Sequence, residues 1–262
     1  QILKQLLMVG GMDRYFQITK CYRDEDFRGD RQPEFTQLDC EMSFVEQEDI
    51  FQTFEGMTKH VYKEVLDVEL DDFVRLRYDD AMKYYGSDKP DLRFDCKIID
   101  LNEHLQNTGF NVFDSATADN KLIAGIVAKG CAGYSRKQID QLTAFVKEPH
   151  RGAGGMIYVK YNDDGSVKSS IDKFFTAEQL TALAEKIGAE KGDLLMIIVD
   201  AEKKTRKILG DLRLEMAKRE DWFSQKPWSV LWIIDFPLFE KDEETGDTIF
   251  VHHPFCSPHL ED

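Results

Sequence analysis

Hydrophobic and polar residues alternate along two stretches near the start of the chain, residues 15–25 and 34–44. In the first stretch Phe16, Ile18 and Tyr22 occupy even positions, and most odd positions are polar or charged. The second stretch repeats the pattern, with its apolar side chains at Leu38, Cys40, Met42 and Phe44. Because successive side chains of a β-strand point to opposite faces, each stretch predicts a strand with one apolar and one polar face. Joined by a charged loop, the two strands predict a hairpin in a half-buried antiparallel sheet.

The polar face of this predicted hairpin has a more varied set of charged, amide and aromatic side chains than a merely solvated strand surface needs. It combines an arginine, three acids, two amides and a phenylalanine: Arg23, Glu25, Asp39, Glu41, Gln17, Gln37 and Phe35. The alternative is a solvated face whose charges form structural ion pairs and prevent edge pairing. The connecting loop, about nine residues at 26–34, is long for a hairpin, and such loops are often functional. It contains Arg28 and Arg31, whose guanidinium groups suit phosphate or carboxylate.

The remainder of the first 93 residues predicts helices with one further strand. A short apolar helix over 2–9 ends at Gly10-Gly11, and apolar residues at helical spacing predict a long helix over about 46–66. Residues 74–78 alternate like a strand, and Asp79 is predicted to cap a short helix that ends near Gly86.

Beyond Arg93 strands and helices alternate. Ser135 with Gln138, and Thr176 with Gln179, have capping-box spacing and predict the starts of two helices. A third helix is predicted near 205–219, and strands are predicted at 109–113, 122–127, 156–161, 194–199, within 228–239 and at 248–253. The glycine-rich run at 151–155 lacks the Lys-Ser/Thr ending of a phosphate-binding loop and predicts a turn.

The differences in the pattern of strands and helices along the chain predict three segments and an α+β fold class. Residues 1–93 form the first part of a core, 94–225 an inserted α+β domain, and 226–262 the second part of the core. The turn-forming run at 87–91 marks the first boundary.

Composition limits the functions that fit. The 34 basic and 49 acidic residues give a net charge of −15, which disfavours nucleic-acid binding unless basic residues cluster locally. Five scattered cysteines without a C-x-x-C pair argue against disulfides and zinc and favour a reducing, cytoplasmic location. No signal peptide or membrane-spanning run is predicted. Because Gln1 already lies inside a structured pattern, we expect the chain to be a fragment of a longer protein.

The run RDEDFRGDRQPEFTQLD at 23–39 resembles the second signature motif of class II aminoacyl-tRNA synthetases, in the form found in bacterial-type aspartyl-tRNA synthetases. Further matches are QILKQLLMVGGMDRYFQITKCYRDED at 1–26, YGSDKPDLR at 85–93, LWIIDFPLF at 231–239 and HHPFCSP at 252–258. Together they extend over most of the chain.

The resemblance implies an antiparallel-sheet catalytic core, here partial, with an inserted α+β domain that is shared with a tRNA-dependent amidotransferase. It implies that ATP activates L-aspartate to aspartyl-adenylate, and that aspartate then passes to the 3′ end of tRNA. The expected partners are aspartate, ATP as a substrate, and tRNA, in a homodimeric parent without a membrane. Magnesium is expected in that parent, with its ligands outside this chain.

The resemblance also implies roles for individual residues. Arg23 is the catalytic residue that bridges the aspartate carboxylate and the ATP α-phosphate. ATP contacts are implied for Arg23, Glu25, Gln32 and Phe35, and aspartate contacts for Gln1, Lys4, Arg23, Gln37, Asp39 and His252. Arg28 and Arg31 are expected near the tRNA acceptor end, and no metal ligand is assigned. Without the motif, Lys4 would be interpreted as an exposed helix lysine.

Two departures leave alternatives open. The first and third class II motifs, the anticodon-binding barrel, the later arginines of the ATP and aspartate sites and the magnesium carboxylates are absent from the chain. In addition, Cys256 stands where a threonine is expected. The chain alone is therefore expected to be inactive. One alternative is a non-catalytic module whose inserted domain interacts near tRNA. A related asparaginyl or lysyl enzyme is disfavoured because those enzymes lack the insert.

Overall fold

A computed structural model describes residues 2–24, 31–242 and 245–251 of the 262-residue chain. The chain divides into two compact units, Gln1–Asp72 and Phe73–Asp262. In the part of the chain that the structure describes, no helix is long and apolar enough to cross a membrane.

The first unit consists of two helices and a hairpin. Its elements are helix α1 (Ile2–Val9), strands β1 (Arg14–Tyr22) and β2 (Glu34–Met42), and helix α2 (Gln47–Leu66). Helix α1 ends as predicted, because Gly11 adopts a φ of +95° and the Met12 N–H donates to the Leu7 carbonyl oxygen at 3.1 Å. Strands β1 and β2 pair antiparallel, as predicted, with Gln17 opposite Asp39.

The two faces of this hairpin are exposed in the opposite sense to the one expected of a half-buried sheet. Exposure alternates along β1, and the apolar side is the exposed one, with Phe16 69% and Ile18 74% exposed. The polar side is half-buried because helix α1 contacts both strands and Lys4 meets Asp39 there. The alternation of odd and even positions therefore predicted correctly which side chains share a face. Which of the two faces is covered depends on the packing of α1.

The second unit is built around a five-stranded antiparallel sheet in the order β4-β5-β8-β6-β7. The strands of this sheet are β4 (Ile98–Asp100), β5 (Leu122–Ala128), β6 (Ile157–Tyr161), β7 (Val167–Ser169) and β8 (Leu194–Asp200). Its helices are α3 (Tyr78–Tyr85), α4 (Asn111–Ala118), α5 (Arg136–Lys147), α6 (Ala177–Ile187) and α7 (Glu202–Arg219), followed by a 3₁₀ turn at Trp222–Gln225.

Both faces of this sheet are covered. Even-numbered residues of β5, such as Ala124 and Ile126, pack in one cluster with residues of α5 and α7. Odd-numbered residues of the same strand, such as Ile123 and Val127, pack in a second cluster with residues of α4 and α6. All seven residues of β5 are buried, as is typical of a central strand between two layers.

Three predictions of local structure are wrong or incomplete. In the predicted strand at 109–113, residues 111–113 are instead the first residues of helix α4, because the Asp114 carboxylate accepts from the backbone N–H groups of Thr108 and Gly109, both at 2.9 Å. Helix α3 begins after Arg77, so Asp79 lies in its first turn and is not its cap. The three-residue strands β4 and β7 were not predicted. Both capping boxes, at Ser135 and Thr176, are confirmed.

Helix α3 crosses helix α7 at two glycines. A Cβ on Gly86 would lie 1.9 Å from the Arg206 carbonyl oxygen, and one on Gly210 would lie 2.6 Å from the Tyr85 carbonyl oxygen. Gly86 also has a φ of +67°, which glycine adopts without strain. The crossing therefore requires glycine on both sides.

The segments around the five-stranded sheet contribute the remaining strands. Strand β3 (Val74–Arg77) pairs parallel with β9 (Leu231–Ile234), and β10 (Phe239–Lys241) pairs antiparallel with β11 (Thr248–Phe250). The buried residues of both hydrophobic clusters lie between Phe94 and Ala217. The predicted boundaries at 93/94 and 225/226 nevertheless remain predictions, since the two compact units divide after Asp72.

Candidate functional site

The polar face of the β1–β2 hairpin places predicted site residues side by side. Gln17 pairs with Asp39 and Cys21 with Phe35 across the two strands. The Arg23 backbone N–H donates to the Pro33 carbonyl oxygen at 2.8 Å, which extends the pairing by one step. As a result the Arg23 guanidinium carbon lies 5.2 Å from the centre of the Phe35 ring, within the range of a cation–π contact.

Helix α1 adds a cation to this face. The Lys4 Nζ forms an ion pair with Asp39 Oδ2 and a second one with Glu41 Oε1 at 3.2 Å. Only 16% of the side-chain surface of Lys4, and of Asp39, is exposed. Lys4 is therefore not the exposed helix lysine that its local sequence predicts.

The charges of Lys4 and Asp39 stabilise each other. The hydrogen bond to Asp39 raises the pKa of Lys4 above its usual value, against a smaller opposing effect of burial. The hydrogen bond from Lys4, followed by one from Gln17, lowers the pKa of Asp39. Both groups are accordingly charged around neutral pH, and the face presents a fixed ammonium beside a fixed carboxylate.

The other predicted site residues are distributed as follows. The Gln37 side-chain oxygen accepts from the Cys21 thiol at 3.5 Å, on the same face as Asp39. Arg31 and Gln32 are exposed just before β2. Gln1, Glu25, Arg28 and His252 lie outside the described residues.

Gln17, which contacts Asp39, and Tyr15, which contacts Gln17, were not assigned a role from the sequence. Gln17 Nε2 donates to Asp39 Oδ2 at 2.9 Å, and Tyr15 Oη donates to Gln17 Oε1 at 3.0 Å. Both residues occupy odd positions of β1, so the parity that grouped the other site residues also contained this information. Within the described ranges, no three His, Cys, Asp or Glu side chains are close enough to hold a metal ion.

Comparison with known proteins is consistent with this geometry. The sequence model of the family "tRNA synthetases class II (D, K and N)" matches residues 1–262. The chain belongs to this family, whose domain combines helices with an antiparallel sheet. The resemblance seen in the sequence is thereby confirmed.

Individual relatives agree with the family match. The chain is 55% identical to an aspartate–tRNA ligase of Bacteroides fragilis and 56% identical to one of Porphyromonas gingivalis, each over 264 aligned residues. It is 51% identical to an aspartate–tRNA ligase of Flavobacterium psychrophilum over 262 residues. Each alignment covers the whole chain but only 44% of the relative.

Proposed function

We propose that this chain is part of an aspartate–tRNA ligase that activates L-aspartate with ATP and transfers it to the 3′ end of tRNA. The observation that carries the proposal is the half-buried Lys4–Asp39 ion pair on the hairpin face that also presents Arg23 and Gln37. An amino acid with a carboxylate side chain offers complementary charges to such a face. The names of the three relatives support the same substrate.

In the first step an aspartate carboxylate oxygen attacks the α-phosphorus of ATP, and pyrophosphate leaves. In the second step a ribose hydroxyl of the tRNA attacks the acyl carbon, and AMP leaves. Neither step needs a protein nucleophile, so the protein accelerates them by orienting the reactants and by stabilising charge on the phosphate. Arg23 serves both purposes, because its planar guanidinium can bond to the aspartate carboxylate and the α-phosphate together.

The aspartate pocket is proposed to contain Lys4, Gln37 and Asp39, with Gln1 and His252. Lys4 faces the substrate carboxylates, and Asp39 holds the substrate ammonium. Asparagine would offer Lys4 no substrate carboxylate, so that Lys4 would keep only Asp39 and Glu41 as partners. Losing one member of a buried charge pair costs roughly 2–5 kcal/mol. Charge therefore separates two amino acids that shape separates poorly.

The ATP site is proposed to contain Phe35, on which adenine stacks, with Glu25 and Gln32. The guanidinium of Arg23 lies close to the same ring, so the adenine contact and the α-phosphate contact belong to one continuous surface. Arg28 and Arg31 are proposed to meet the tRNA acceptor end. Local cations of this kind are needed because the chain has a net charge of −15.

We further propose that residues 94–225 form a domain inserted into the synthetase core. Their own strands, capped helices and two hydrophobic clusters support this organisation. A homodimeric, cytoplasmic parent with magnesium bound by carboxylates outside this chain completes the proposal.

Aspartate-dependent exchange of pyrophosphate into ATP tests the activity in the complete ligase. We expect exchange with aspartate but not with asparagine or lysine, followed by aspartylation of tRNA. The chain of 262 residues alone serves as the matched comparison and is expected to be inactive, because groups that act as a unit lose their effect together. Exchange that depends on asparagine or lysine, and not on aspartate, would overturn the assignment.

A further inference from the structure

A row of hydrogen bonds leads from the body of strand β1 to the Lys4–Asp39 pair. Tyr15 Oη donates to Gln17 Oε1 at 3.0 Å, and Gln17 Nε2 donates to Asp39 Oδ2 at 2.9 Å. A carboxylate only accepts hydrogen bonds, so Gln17 must turn its amino group towards Asp39 and its carbonyl group away. The tyrosine hydroxyl is placed where it favours this orientation of the amide.

The two donors of Asp39 meet at one oxygen. Lys4 Nζ and Gln17 Nε2 both contact Oδ2, whereas Oδ1 has no hydrogen-bond donor among the described residues. Because one oxygen of this half-buried carboxylate already accepts from two donors, the second oxygen remains available to a ligand that binds on this face. An ammonium group is the ligand that such an oxygen accepts best.

We propose that Gln17, oriented by Tyr15, is a positioning residue for amino acid recognition, which fixes Asp39 so that Oδ2 holds Lys4 and Oδ1 receives the substrate ammonium. This inference rests on the proposed function, since it concerns the same aspartate pocket. Neither Gln17 nor Tyr15 touches the substrate; both act through Asp39. Removing them should weaken aspartate binding and leave ATP binding nearly unchanged, because both act on Asp39, which is proposed to contact aspartate and not ATP.

The same hairpin supplies matched controls. Tyr22 lies on the opposite face of β1 and is 71% exposed, so Tyr22→Phe removes a comparable hydroxyl outside the row. Lys20 pairs with Glu34 at 3.0 Å on that face with 68% of its side chain exposed, so Lys20→Met is the counterpart of Gln17→Met. Each control changes a polar group of the same strand without reaching Asp39.

The test measures pyrophosphate exchange by the complete ligase at varied aspartate and ATP. We expect the KM for aspartate to rise about tenfold in Gln17→Met and about threefold in Tyr15→Phe, the order of one hydrogen bond to a charged group. The KM for ATP should stay within about twofold in both, and the two control variants should match the wild type. Gln17→Glu should be worse than Gln17→Met, because it opposes Asp39 with a like charge.

A pH profile separates positioning from a general loss of structure. Without the hydrogen bond from Gln17 the pKa of Asp39 rises, so the acid limb of kcat/KM for aspartate should move to higher pH in Gln17→Met. Lys20→Met should leave that limb in place.

The outcomes distinguish this inference from the proposed function. A wild-type ligase without aspartate-dependent exchange would refute the proposed function itself. An active wild type with a Gln17→Met variant that equals Lys20→Met, or that loses aspartate and ATP affinity equally, would overturn the positioning role. If Gln17→Met fails to fold, Tyr15→Phe decides, since it removes one oxygen and is expected to fold; an unchanged KM for aspartate in that variant would overturn the inference.

Discussion

Lys4 of helix α1 and Asp39 of strand β2 form an ion pair on the half-buried face of the hairpin, 35 positions apart in the sequence. The pair attaches the helix to the strand and also keeps both charges in place. A lysine that only stabilised the helix surface would need no such partner. The arrangement makes Lys4 the residue whose substitution is most informative about substrate choice.

In the complete ligase, Lys4→Met should weaken the binding of aspartate far more than the binding of ATP. It should also reduce the preference of the enzyme for aspartate over asparagine. The physical reason is the loss of a cation facing a carboxylate, which costs roughly 2–5 kcal/mol in comparable pairs. The Michaelis constants for aspartate and ATP in pyrophosphate exchange, with asparagine as competitor, give the answer. Lys20→Met, on the exposed face, is the control. An equal loss for both substrates would show that Lys4 is structural only.

Arg23→Ala should act on adenylate formation. Removing one donor that stabilises developing charge in a closed site typically lowers the rate by about 10²–10³. Aspartate-dependent pyrophosphate exchange measures this step directly. Arg14→Ala serves as control, because Arg14 is an exposed arginine at the start of strand β1, the strand that Arg23 follows. Normal activation of aspartate by the Arg23 variant would refute the role assigned to this residue.

Much of the local structure was accessible from the sequence because its causes are local. The capping boxes at Ser135 and Thr176 each join residues three positions apart, and both helices start there. The strand predicted at 109–113 does not form. The Asp114 carboxylate instead accepts hydrogen bonds from the preceding backbone N–H groups, and this arrangement starts a helix. Three-residue strands such as β7 exist only because β6 pairs with them, and no alternation can be recognised over so short a segment.

The candidate site was predictable to the extent that it depends on parity. Alternation grouped Arg23, Phe35, Gln37 and Asp39 on one face. The register confirms the grouping for Phe35, Gln37 and Asp39, and the Arg23 guanidinium lies beside the Phe35 ring. Which face is covered depends on where α1 packs, and no pattern within the strands contains that information. The hydrogen bond from Tyr15 to Gln17 was missed for another reason: a tyrosine at an odd position looks like an interruption of the polar face until its hydroxyl is seen.

The α3–α7 crossing predicts a large effect of one methyl group. Gly210→Ala should lower the free energy of unfolding by about 1–3 kcal/mol, as overpacking usually does, because its Cβ would lie 2.6 Å from the Tyr85 carbonyl oxygen. Gly133→Ala is the matched control, since nothing lies within 4 Å of a Cβ at that position. Chemical denaturation of both variants measures the difference. Equal stabilities would mean that the two helices separate without cost.

The cysteines should differ in reactivity towards a thiol reagent. Burial raises the pKa of both Cys96 and Cys131 to about 12, whereas Cys21 and Cys40 are partly exposed. In a Cys256→Ser background, alkylation at neutral pH should therefore modify Cys21 and Cys40 first, because the thiolate is the reactive form.

The same two buried thiols give a stability effect with a definite sign. Their folded pKa lies above the ordinary value of 9.0, so the folded state binds these protons more tightly than the unfolded state does. The contribution is complete below about pH 9 and declines as the pH rises towards about 12. Replacing both thiols with alanine should make the alkaline loss of stability shallower, as measured by denaturation at several pH values. An unchanged slope would exclude these thiols as a cause.

Residues 94–225 should fold when expressed alone, because the buried residues of both hydrophobic clusters lie between Phe94 and Ala217. A cooperative thermal transition and dispersed amide signals are the expected results. The structure also predicts that the choice of the N-terminal boundary affects the stability of the fragment, because two buried arginines bond to carbonyl groups before residue 94. Arg206 Nη1 donates to the Lys83 carbonyl oxygen at 2.8 Å, and Arg213 donates to the Asp91 carbonyl oxygen.

A longer fragment, 78–225, keeps both carbonyl acceptors and the glycine crossing of α3 with α7. It should therefore melt at a higher temperature than 94–225, since a buried guanidinium that loses one acceptor retains its desolvation cost. Arg213 is 1% exposed, which makes it the more sensitive of the two arginines. Arg213→Met in both fragments tests whether the lost acceptor of Arg213 is the cause. If it is, the difference in melting temperature between the two fragments should be smaller in the Arg213→Met variants. A disordered amide spectrum for 94–225 beside a folded 78–225 would instead place the domain boundary before helix α3.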